Sequence, residues 1–141
     1  MRTRPARTDT MSVDRVLVDT SVWVDYFRGS SPLISEKLDR LLTEAEVCVP
    51  KIVLAELLQG AKSNREVSAI EDFPEAFTII DQGPDTWIRA GKLSRQLKSR
   101  GKTIHLIDCY IAVIAEESRC AVLTLDDHFE EISRLLPLRL L

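Results

Sequence analysis

Asp19, Glu56, Asp108 and Asp126 each stand where an apolar stretch of this chain meets a polar turn. They come from well-separated segments, so only the fold can gather them. Oxygen-only clusters suit hard divalent cations such as Mg²⁺ or Mn²⁺, and such ions act on phosphate esters. Metal-assisted phosphodiester chemistry is therefore the leading reading. Each acid also has a plainer account. Asp19, followed by Thr20 and Ser21, is a good helix cap. Glu56 is a helical glutamate at the edge of an apolar face. Asp108 is a first-turn acid that complements a helix dipole, worth ~0.3–1 kcal/mol. Of the Asp126–Asp127 pair, one can cap the following helix while the other binds metal; Asp126, nearer the strand end, is the ligand candidate and Asp127 the cap or surface acid.

The elements that would position these acids alternate along the chain. Arg15 to Asp19 is a short apolar strand ending in a carboxylate, and Val22 to Phe27 a helix stopped by Gly29. Pro32 opens a second helix. Val47 to Val49 is a strand, and Pro50 leads into a helix that carries Glu56 and closes at Gly60. A polar helix from about Asn64 to Asp72 is ended by Pro74. Phe77 to Ile80 is a strand, followed by a long helix to about Arg100 with Trp87, Ala90, Leu93 and Leu97 facing inward. An apolar helix from Ile107 to Glu117, a strand from Ala121 to Thr124, a helix from Asp127 to Leu135 and a closing strand at Leu138 to Leu140 complete the pattern. Short apolar strands alternating with helices imply a three-layer α/β/α fold with a short, mostly parallel central sheet. Ligand sites on such sheets form at the carboxyl ends of strands, where Asp19 and Asp126 fall.

With 141 residues, 45% of them hydrophobic and 29% charged, the chain suits one domain, expected over residues 14–141. Residues 1–13 carry Arg2, Arg4 and Arg7 without an apolar core, so they read as a disordered extension and not a secretory signal. No apolar run approaches the ~20 residues that cross a bilayer. Cys48, Cys109 and Cys120 lie among apolar residues and read as buried free thiols in a reducing cytoplasm; no Cys/His spacing suggests zinc. The net charge of −3 neither supports nor excludes a nucleic-acid substrate, since two bound divalent ions would turn the balance positive.

The joint pattern resembles the PIN-domain nucleases, above all the VapC-type toxins of toxin–antitoxin pairs, from about Val16 to the C-terminus. Val16-Leu17-Val18-Asp19-Thr20-Ser21 is similar to the family's first motif, and Ala55-Glu56-Leu57-Leu58-Gln59-Gly60 to its second. Ile107-Asp108-Cys109-Tyr110 resembles the third, and Thr124-Leu125-Asp126-Asp127-His128-Phe129 the fourth. The resemblance implies a PIN-like fold and an endoribonuclease in which Asp19, Glu56, Asp108 and Asp126 hold Mg²⁺ or Mn²⁺, with Thr20, Ser21 and Thr124 in support. It further implies an RNA substrate, a VapB-type antitoxin as partner and a homodimer. His128 stands where many relatives have an aspartate; it reads as a surface histidine or a phosphate contact. Arg95, Lys98, Arg100 and Lys102 are either phosphate contacts or a solvated helix end. Trp23, Tyr26 and Phe27 either line a groove for the antitoxin or, for Trp23, pack in the core. The rival readings are a phosphoryl-transfer domain and a non-catalytic PIN-like binding module. Against the first, an aspartate-nucleophile phosphatase would need an acid where Ser21 stands, and a receiver module a lysine beyond Lys102.

Overall fold

A computed structural model of the chain describes residues 13–141. Its centre is a parallel sheet of four strands in the order β3-β2-β1-β4, where β1 is Arg15–Val18, β2 Glu46–Pro50, β3 Thr78–Ile80 and β4 Ala121–Leu123. Val16 pairs with Val47 on one side and Ala121 on the other. The strands are short and almost wholly buried, as a sheet covered on both faces requires. The order reverses at β1. The chain runs outward through β2 and β3, then returns to place β4 against the free edge of β1, and the crevice this creates lies at the carboxyl ends of β1 and β4.

Helices α1 (Thr20–Arg28), α2 (Pro32–Glu44), α3 (Lys51–Gln59), α4 (Asn64–Glu71), α5 (Phe73–Ala76), α6 (Thr86–Ser99), α7 (Leu106–Glu117) and α8 (His128–Ile132) complete the described chain. Gly29 ends α1 in the left-handed region (φ 64°), donating its amide back to Tyr26. Ser31 caps α2 ahead of Pro32. Helix α7 is apolar on nearly every side, from Cys109 to Ala115, and is correspondingly buried. The three cysteines are buried and free, as expected.

Three expectations change. Pro74 opens α5 instead of merely ending α4, because a proline in the first helical turn has no partner for the N–H it lacks. Trp87 does not face inward. The buried positions of α6 are Thr86, Ala90, Leu93, Ser94 and Leu97, which leaves Trp87 41% exposed, stacked on Tyr110 at 4.1 Å. The closing strand is a single bridge between Val122 and Leu140. It cannot lengthen upstream because the Cys120 amide already donates to the Ala115 carbonyl at 2.9 Å. Of the two readings of Trp23, the core one holds: it is 2% exposed, with Phe73 and Phe77 rings 4.7 and 5.4 Å away. Of residues 1–13, for which an extension was expected, only Val13 is described, and it is buried. Among the described residues no helix is long and apolar enough to cross a membrane.

Candidate active site

Asp19 follows β1 directly, and its amide donates to the Leu123 carbonyl at the end of β4 (2.9 Å). Its backbone starts α1, with the Val22 amide on its carbonyl at 3.0 Å, yet its carboxylate makes no capping bond. Oδ2 instead accepts hydrogen bonds from Ser21 Oγ (3.0 Å) and Thr124 Oγ1 (2.8 Å). Each of those hydroxyls also accepts an amide from the turn after β4: Leu125 on Ser21 (3.1 Å) and Asp126 on Thr124 (3.0 Å). Two hydroxyls thus bolt the Asp19 carboxylate to the backbone that carries Asp126. The carboxylate is 6% exposed. Burial raises its pKa, the Thr124, Ser21 and Thr20 hydrogen bonds oppose the rise, and the Asp126 charge adds to it.

Asp108, in the first turn of α7, and Asp126, after β4, come together from opposite sides of the crevice. Asp108, Asp126 and His128 each offer one ligand atom within 4.8 Å of the other two. His128 Nδ1 lies 3.4 Å from both Asp108 Oδ2 and Asp126 Oδ1. The Asp108 carboxyl is pushed up by burial first and by the Asp126 charge second, with smaller opposition from His128 and a further upward push from Asp19. Three carboxylates therefore feel one another's charge. Neither Asp19 nor Glu56, which is half-buried on α3, joins the group of ligand atoms within 4.8 Å; Glu56 Oε1 accepts from Thr20 Oγ1 at 2.8 Å, one residue beyond Asp19. The two hydroxyls after Asp19 are divided: Ser21 serves Asp19 and Thr20 serves Glu56.

The expected division of labour between Asp126 and Asp127 is partly reversed. Asp126 Oδ1 accepts the His128 amide at 2.9 Å, so the ligand candidate also closes the turn into α8. Asp127 is exposed and makes no side-chain cap bond. His128 gains a role that its sequence position left open. It stands between two acids, and the only sequence sign was its place two residues after Asp126. Arg95 and Lys98 are exposed on α6, while Arg100 and Lys102 line cavities that begin beside His128.

A parallel sheet with acids at the carboxyl ends of its switch-point strands places the candidate site where open α/β sheets bind their ligands. Comparison with known proteins narrows the reading. The PIN domain family model matches residues 16–135. Ribonuclease VapC2 of Haemophilus influenzae is 31% identical over 130 residues, covering 89% of this chain and 95% of the relative. Ribonuclease VapC11 of Mycobacterium tuberculosis is 29% identical over 129 residues, covering 88% and 96%. A chain of the VapBC2 structure from Rickettsia felis, bound to a DNA fragment of its promoter, superposes with a TM-score of 0.72 at 24% identity, covering 86% of this chain and 96% of that one. The chain therefore belongs to the PIN-domain family, among the VapC proteins.

The donor set fits a hard divalent cation. Asp108 and Asp126 offer carboxylate oxygens and His128 a nitrogen, and burial with like charge raises both the Asp108 carboxyl and that of the neighbouring Asp19.

Proposed function

We propose that this chain is a divalent-metal-dependent endoribonuclease, the toxin of a VapC-type pair. The observation that supports it most is the meeting of Asp108 and Asp126 with the buried Asp19 beside them. Crowding like charges costs stability unless a cation lies between them, and the hydroxyl bolts from Ser21 and Thr124 keep Asp19 from turning away.

Asp19, Asp108 and Asp126 would hold Mg²⁺ or Mn²⁺, with Glu56 completing the acidic rim. When bound, the ion supplies Lewis acidity at the phosphoryl group and an activated water. The protein's own part is positional. Thr124 and Ser21 fix Asp19, Thr20 fixes Glu56, and the Asp126 turn aims its carboxylate at Asp108. His128, half-exposed beside two acids, is placed to donate a hydrogen bond to a scissile phosphate that enters the crevice.

The relatives' names supply the substrate class: curated matches are called ribonucleases. Several similar structures are VapBC complexes, so a VapB-type antitoxin is the proposed partner. A homodimer and a cytoplasmic location complete the proposal. The deciding experiment incubates purified protein with single-stranded RNA in Mg²⁺ or Mn²⁺ and, in parallel, in chelator. Cleavage confined to the metal-containing reactions, and lost in Asp19→Asn, is the expected result. Undiminished cleavage by Asp19→Asn would remove the mechanism.

A further inference from the structure

Two cavities lie end to end between the α6–α7 loop and α8. The first, of ≈ 320 Å³, is lined by Lys102, Thr103, Asp127 and His128 among others, and His128 Nδ1 lies 3.4 Å from both Asp108 and Asp126. The second, of ≈ 200 Å³, continues past Arg100 and Arg134. Lys102 and Glu131 line both. Their ion pair, at 3.6 Å, is the divide between the two cavities. Arg134 meets the same glutamate at 3.0 Å. One carboxylate thus occupies two of the trough's three full cations.

The charges are graded along the trough. Asp127 flanks the mouth at His128, and the cations Lys102, Arg100 and Arg134 lie farther from the acids. Lys102 and Glu131 are partly exposed, at 50% and 28% of their side chains, so water already competes for their pairing. An exposed pair of this kind contributes little to stability, and a phosphate, with more charge and more acceptor oxygens than a carboxylate, can displace Glu131.

We propose that this trough is the exit path of the RNA strand: one backbone phosphate replaces Glu131 on Lys102, and the next ones pass Arg100 and Arg134. The proposal rests on the ribonuclease reading. A strand whose scissile phosphate lies at Asp108 and Asp126 must continue somewhere. This recess runs from His128, which touches Asp108 and Asp126, to a row of cations. An unpaired strand can bend into recesses of this size, and phosphates at regular intervals match a row of cations. Glu131 then acts as a placeholder, holding Lys102 and Arg134 in position until the strand arrives.

The placeholder gives the test two variants of opposite sign. In an Asp19→Asn background with Mg²⁺, which prevents cleavage, fluorescence anisotropy measures the Kd of a labelled oligouridylate over a series of salt concentrations. Lys102→Ala should weaken binding about fivefold and flatten the salt slope by ~0.7, the single-strand value for one phosphate contact. Glu131→Gln should tighten binding, because Lys102 is released from its carboxylate. Thermal melts of both variants check that the fold persists. If both variants leave Kd and slope unchanged while the wild-type chain cleaves RNA, the trough proposal falls and the nuclease reading stands. If the wild-type chain cleaves no RNA in metal, the nuclease reading falls first. If a polyglutamate peptide responds to the variants and oligouridylate does not, the trough serves an acidic peptide and the proposal is overturned.

Discussion

The two ends of the sheet handle charge in opposite ways. At the amino ends, Arg15 on β1 stands in register with Glu46 on β2, and the two pair at 3.3 Å. Glu46 also accepts from Thr78 on β3 at 2.6 Å, and Arg15 donates to Cys48 at 3.4 Å. The Cys48 thiol is pulled below its ordinary value by its pairing with Cys120 first and then, against burial, by that guanidinium. Charge meets opposite charge there. At the carboxyl ends, Asp108 and Asp126 meet within 4.8 Å, the nearby Asp19 adds its charge, and a half-exposed histidine stands beside them. The same strands therefore carry a self-neutralised end and an end whose balance must come from outside. Only the second has a reason to bind a cation.

The sharpest way to break this contrast is to neutralise the crowded end. Asp19→Asn or Asp126→Asn should lower metal-dependent RNA cleavage by about a thousandfold or more, since several kcal/mol of transition-state stabilisation are removed; single-turnover rates measure it. Thr124→Val keeps the shape but removes the hydroxyl that joins Asp19 to the Asp126 amide. A loss of about 10–100-fold in activity or metal affinity is expected, as for other partners that orient metal ligands.

Stability offers a third test, with a defined sign. In chelator, the folded Asp108 carboxyl sits above its ordinary 3.8 because of burial and the Asp126 charge. The folded state therefore binds more protons than the unfolded one in that window, and its stability falls as pH rises through the raised pKa. Asp108→Asn should melt a few degrees above wild type at neutral pH in chelator, and the difference should close as pH drops through that window. Saturating Mg²⁺ should reverse the order, contributing about 2.7 kcal/mol to wild type at a hundredfold excess over Kd. A wild-type melting temperature indifferent to both metal and chelator would mean that the crowded acids are balanced in some other way. The smallest effect belongs to the paired end. Glu46→Gln removes an ion pair whose side chains are 34% and 47% exposed, so a loss of ~0.2–1 kcal/mol in denaturant melts and no change in cleavage are expected.

Much of this was legible from the residues. Strand and helix positions followed from apolar period and from Pro and Gly punctuation, because those signals are local. Asp19 and Asp126 stood out because each directly follows an apolar run. Trp87 was misplaced because neighbouring positions on a helix differ by about 100°, and the choice between them was made by packing against α7. The closing strand was overestimated because an amide it needed, that of Cys120, already belonged to α7. His128, Arg100 and Lys102 stood out as candidate phosphate contacts, but the trough could not be read, because it depends on Lys102 meeting Glu131 across two segments that share no local pattern.

By itself the chain determined its alternation of elements, the identity of its acids and its kinship with PIN domains, because periodicity, caps and motifs are properties of neighbouring residues. The tertiary structure decided which hydroxyl serves which acid, that Asp126 and not Asp127 closes the turn into α8, and that like charges gather at one end of the sheet while opposite charges pair at the other. The reason is reach. A hydrogen bond or an ion pair acts over a few ångströms, and only the crossing of β1 beside β4 brings residues some hundred positions apart within that distance.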